Sequence, residues 1–102
     1  MVISIQNELS INSDITLIIQ QSGIPHSGWY VGITSDIDER LYGFHKVPRQ
    51  SRWHTCHRAI TDAVARNVET GFHNLGCKGA GGGGDHTAVF VYAYVITDST
   101  VQ

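Results

Sequence analysis

Trp29–His45, WYVGITSDIDERLYGFH, changes hydrophobic period in its middle. Its first six residues, WYVGIT, are β-branched and aromatic and predict a strand. Upstream lie a turn-rich SGIPHSG (22–28) and a compact β-branched run, ITLII (15–19), so strand, loop and strand predict a β-hairpin. From Ser35 onward the pattern is helical. Ser35 followed by Asp38 resembles a capping box, Asp36, Asp38 and Glu39 carry negative charge where a helix N-terminus favours it, and Ile37, Leu41 and Phe44 recur at i, i+4, i+7. This helix contains Gly43 and ends before Pro48.

Beyond it, PRQSRWHTCHR (48–58) reads as a polar, basic connection. Ile60, Val64, Val68, Phe72 and Leu75 then form one apolar stripe with Asp62 in the first turn and Gly76 as a stop, which predicts the clearest helix of the chain. GCKGAGGGGD (76–85) is too glycine-rich for regular structure. Ala88–Ile96, AVFVYAYVI, predicts a strand covered on both faces, with Phe90, Tyr92, Tyr94 and Ile96 on one and Val89, Val91, Ala93 and Val95 on the other. The expected fold is therefore α+β, a small antiparallel sheet of about three strands flanked by helices in the order β-β-α-α-β. Residues 15–96 form the expected domain, 1–14 an arm or extra strand, and 97–102 a tail.

The 102 residues, 41% of them hydrophobic, suffice for one core, which excludes a multidomain enzyme, and the net charge of −2 is too small for a disordered chain. That charge is unevenly spread. All seven Lys and Arg residues lie between positions 40 and 78, where Asp62 and Glu69 are the only acids, so that stretch carries +5. Residues 1–39 carry −5 and residues 79–102 carry −2. A local basic patch attracts phosphates even on a slightly acidic protein. No segment has the charged start of a secretion signal, and the longest apolar run, Ala88–Ile96, is far below the roughly 18 residues of a membrane span. With two cysteines, a reducing cytoplasm is the expected compartment and no membrane partner is expected.

YVGITSDIDERLYGFH (30–45) resembles the second half of the GIY-YIG nuclease signature. Tyr30, Val31 and Gly32 match the YIG triplet, Thr34 the small polar residue after it, and Arg40 the helical arginine ten residues after the motif tyrosine. Glu69 is the acid that fits the family's later metal-binding glutamate. The family's fold, a three-stranded antiparallel sheet with flanking helices, resembles the expected element order. No tyrosine precedes Tyr30, and Ile18–Gln21 stand where the family's first motif has one. The family places a His or Tyr four residues after the arginine; here Phe44 is there and His45 follows. On an ideal helix five residues turn about 140° from Arg40, so His45 joins the same site where the helix is distorted near Gly43.

The resemblance implies metal-dependent hydrolysis of DNA phosphodiesters, the alternative being a catalytically degenerate module that binds nucleic acid or protein. It implies Mg²⁺ or Mn²⁺ on Glu69, with water completing a sparse ligand set. Arg40 would grip the phosphate through its planar fork. Tyr30 and His45 compete as proton acceptor, the phenol needing a nearby cation and the imidazole titrating in a useful range. Lys46, Arg49, Arg52 and Arg58 are candidates for the DNA backbone and Trp53 for stacking on a base. With no spare domain to read sequence, specificity would fall to a homo-oligomer or a partner protein. Taken singly, each residue has an ordinary reading as well, Glu69 for instance pairing with Arg66 or His73 on the helix surface. A mixed zinc site from His54, Cys56, His57, His73 and Cys77 lacks the usual two-residue gap. The run Gly79–Gly84 is no Walker loop, though its amides are candidates for a phosphate contact.

Overall fold

In the computed structural model, which describes residues 3–81 and 86–102, Ile15–Ile19 lies inside a helix. This helix, α1, spans Glu8–Ser22, so the expected hairpin does not exist. Its buried stripe is Ile11, Ile15 and Ile19, one residue per turn, while Leu17 between them is 53% exposed. A five-residue window of β-branched residues reads as a strand; the stripe emerges only when the pattern is followed back to Ile11. Packing on that stripe then outweighs the small helix penalty of β-branching. The Asn7 side chain caps the start by accepting from the Ser10 amide at 2.8 Å, and Gly23, at φ 69°, closes the end.

The second correction falls on residues 48–58. Six residues of and just beyond the expected connection, His54–Ala59, form a strand, β3, in the interior of the sheet. The other strands are β1 (Ile5–Gln6), β2 (Trp29–Thr34) and β4 (Phe90–Val95), and the order across the sheet is β1-β3-β4-β2. β4 pairs antiparallel with both β2 and β3, and β1 pairs parallel with β3, so the sheet is mixed. Residues 5–14 thus supply an extra strand and the first half of α1. HTCHRA carries no aliphatic larger than alanine, which hides β3 from a hydrophobic count; pairing on both edges makes it a strand.

Alternation divides the side chains between two cores. Trp29, Val31 and Ile33 of β2 and Val91 and Ala93 of β4 meet α1 and a second helix, α2 (Asp62–Asn74), on one face. Tyr30, Tyr92 and Tyr94 emerge on the other face, under Leu41 and Val47. α2 turns Ala65, Val68 and Phe72 inward and is capped by Thr61, whose hydroxyl accepts from the Val64 amide at 3.2 Å. Ile60 and Leu75, the ends of the expected stripe, lie outside the helix and are exposed.

The helix expected after Ser35 is a π helix, Asp38–Phe44, started by Asp36 rather than Ser35: the Asp36 carboxylate accepts from the Glu39 amide at 3.2 Å. Hydrogen bonds here join residues five apart, as in His45 N–H to the Arg40 carbonyl at 3.0 Å. Lys46, at φ 60°, ends the segment in the left-handed region. Among the described residues no helix is long and apolar enough to cross a membrane.

Candidate active site

A cleft of about 300 Å³ opens where the edge strand β2, the π helix, α2 and β4 meet. Tyr30, Thr34, Arg40, Glu69 and Tyr92 all line it. Four of these come from positions that the sequence marks, and they lie up to 39 residues apart in the chain. β2 presents Tyr30 and Gly32 on one face, the π helix brings Arg40 to the rim, and α2 adds Glu69 at the border of its apolar stripe.

Glu69 is only 6% exposed. Burial raises its carboxyl above the ordinary carboxylate range, while the neighbouring His73 and Arg66 pull the other way. Arg40 is exposed, its guanidinium 4.9 Å from the centre of the Phe44 ring. Tyr30 is held above its usual pKa by burial, offset in part by a hydrogen bond with the Ala80 main chain and by the charge of Arg40.

Tyr92 lines the cleft, and sequence reasoning misses it. Its placement on one face with Tyr94 is legible from the alternation of FVYAYV, but which strand that face adjoins is not. The register sets Tyr92 opposite Gly32 and Tyr94 opposite Tyr30. A Cβ on Gly32 would stand 2.5 Å from the Tyr92 hydroxyl oxygen and 2.6 Å from its ring, so the phenol crosses β2 through space that only glycine leaves open. Tyr92 thus joins Tyr30 in the cleft from 62 residues downstream.

His45 is brought near the site but does not line it. The π helix carries it five residues from Arg40 in one turn, which meets the condition of a distorted helix end, and the ring is fully buried behind the tyrosines. Its Nε2 lies 2.8 Å from the Tyr92 hydroxyl, and its Nδ1 lies 2.6 Å from the Val101 carbonyl and 2.9 Å from the Tyr94 hydroxyl. Burial lowers its pKa, the bond to Val101 raises it and the Arg40 charge lowers it further.

None of the five candidate DNA-contacting residues lines the cleft. Lys46, Arg49, Arg52 and Arg58 are exposed. Arg49 lies 4.1 Å from the Tyr42 ring centre and 3.3 Å from Asp38, Arg52 covers the Trp53 ring at 4.6 Å, and Arg58 lies over Phe90 at 5.8 Å. Trp53 packs against the main core. The zinc grouping is not assembled: among the described residues no three His, Cys, Asp or Glu side chains are placed to share an ion. His57 is engaged by Gln6 and Thr55, His73 donates from Nε2 to the Val31 carbonyl at 2.8 Å, and burial pushes the Cys77 thiol up to about 11. Gly81 lines the cleft, while residues 82–84 of the glycine run lie outside the described residues. No family model, curated protein or solved structure matches the chain.

Proposed function

We propose that the cleft hydrolyses DNA phosphodiesters in the manner of a GIY-YIG nuclease. The observation that carries this reading is the convergence of Tyr30, Arg40, Glu69 and Tyr92 on one cleft. A cation for the phosphate, a lone sheltered carboxylate and two phenols form the donor set that phosphoryl chemistry needs. Arg40, at the rim, binds a non-bridging phosphate oxygen pair through its fork. Glu69 fits a divalent ion such as Mg²⁺ or Mn²⁺, which takes one or two carboxylates and fills its remaining positions with water and substrate oxygens. When bound, that ion would neutralise charge on the phosphate and the departing oxygen. The tyrosines position water against phosphorus. Lys46, Arg49, Arg52 and Arg58, outside the cleft, contribute attraction to the flanking backbone, which weakens steeply with salt.

Incubation of supercoiled and branched DNA with Mg²⁺ or Mn²⁺ tests the proposal. Cleavage is expected, and Glu69→Ala and Arg40→Ala each reduce it by about 100-fold or more, the scale of losing a charged group from a transition state. DNA binding with no cleavage by the unaltered chain would instead identify a degenerate binding module.

A further inference from the structure

We infer that Tyr92 takes the proton of the attacking water and passes its own to buried His45, whose tautomer is set by the main chain of Val101. This rests on the hydrolase reading and assigns its proton path.

The hydrogen-bond geometry carries the argument. A carbonyl only accepts, so the 2.6 Å contact between the Val101 oxygen and His45 Nδ1 places a proton on Nδ1. Tyr94 closes a triangle, its hydroxyl donating to the same carbonyl at 3.2 Å while lying 2.9 Å from Nδ1. A neutral imidazole protonated at Nδ1 has a bare Nε2. The Tyr92 hydroxyl, 2.8 Å away, therefore donates to Nε2 and keeps its oxygen lone pairs for the cleft. The Tyr30 oxygen, by contrast, is engaged by the Ala80 main chain, which takes up one of its lone pairs. Val101 holds His45 twice, because its own N–H donates to the His45 carbonyl at 2.7 Å.

In the step, the water oxygen bonds to phosphorus as its proton moves to the Tyr92 oxygen and the Tyr92 proton moves to Nε2. The bond from phosphorus to the leaving oxygen breaks, and that oxygen keeps the electron pair and takes a proton from solvent. The imidazolium, stabilised by the Val101 carbonyl through a charge-assisted bond, returns its proton through Tyr92 to water. The groups facing His45 are Tyr30 from β2, Tyr92 and Tyr94 from β4, Arg40 and Phe44 from the π helix, and Val101. The net effect of these surroundings keeps the ring neutral at pH 7, the state that accepts a proton. Tyr92 is the catalytic residue here and His45 the positioning residue behind it.

Long-range ¹H–¹⁵N correlation spectra of the full chain read the tautomer directly, independently of activity. The expected signal for His45 is the Nδ1–H form. Val101→Pro, which removes the amide proton and shifts the carbonyl, converts it to a mixture and lowers kcat more than KM. Tyr92→Phe lowers cleavage by about 100-fold, within the range for losing a general base. His45→Gln removes the acidic limb of the pH–rate profile. An Nε2–H tautomer, or an Nδ1–H form unchanged in folded Val101→Pro, overturns the role of Val101. Normal cleavage by Tyr92→Phe overturns the relay. A chain with the expected tautomer that cleaves no DNA fails the hydrolase reading and removes the proton path with it.

Discussion

Gly32 and Tyr92 occupy one volume between them, and the strand register makes them do so. Because the added Cβ would overlap the hydroxyl and ring of Tyr92 rather than a flexible chain end, relief requires the aromatic side chain or β4 itself to move. Gly32→Ala is therefore expected to destabilise the fold by about 1–3 kcal/mol, the usual cost of overpacking, and to pull Tyr92 from His45. Urea unfolding measures the first effect. Loss of the His45 tautomer signal, with DNA cleavage reduced as far as in Tyr92→Phe, measures the second. Wild-type stability and cleavage in Gly32→Ala would show that the phenol does not need this space. The glycine of the YVG triplet was legible in the sequence as a motif position, whereas its physical task was not, since it depends on a residue 60 positions away.

At the scale of elements, α1 gives the sharpest contrast between a local and a global reading. A strand over Ile15–Ile19 would place residues 15, 17 and 19 on one face, while the helix buries Ile15 and Ile19 and leaves Leu17 half in solvent. Ile15→Ala is expected to cost about 2–5 kcal/mol through the cavity it leaves, and Leu17→Ala no more than about 0.5 kcal/mol. Equal losses in chemical unfolding would contradict the helix. β2, α2 and β4 were legible because each shows its own period over enough residues. α1 was misread because its β-branched centre imitates a strand, and β3 was missed because its burial comes from neighbours on both edges rather than from aliphatic side chains. The π helix lies between these cases: acids and apolar spacing announced a helix, and only the demand that His45 join Arg40 hinted at its wider turn. The cleft followed the same division. Tyr30, Thr34, Arg40 and Glu69 were legible as motif positions, and Tyr92 became visible only through strand pairing.

For the whole molecule, two buried histidines join parts that are distant in sequence, and both make stability depend on pH. His57, on β3, lies 2.8 Å from the Gln6 side-chain oxygen and 2.8 Å from the Thr55 hydroxyl, and Gln6 in turn binds Ser10 and Asp14 at the start of the chain. His45 ties the π helix to β4 and Val101. Burial lowers the pKa of each in the folded state; Asp14, 3.9 Å from His57, and the Val101 bond to His45 oppose this without reversing it. Unfolding returns both rings to an ordinary pKa of about 6.5, so below that pH the unfolded chain binds more protons and the folded state loses stability as the medium is acidified. Each ring contributes at most about 1.4 kcal/mol per pH unit. Glu69 acts in the opposite sense, since its raised carboxyl pKa lets the folded state bind a proton first. The midpoint of urea unfolding is expected to fall between pH 7.5 and 5.5, with a shallower fall in His57→Gln. A midpoint that holds or rises over this range in the unaltered chain would mean that the two rings are already charged in the folded protein, which the donor and acceptor pattern around His45 does not accommodate.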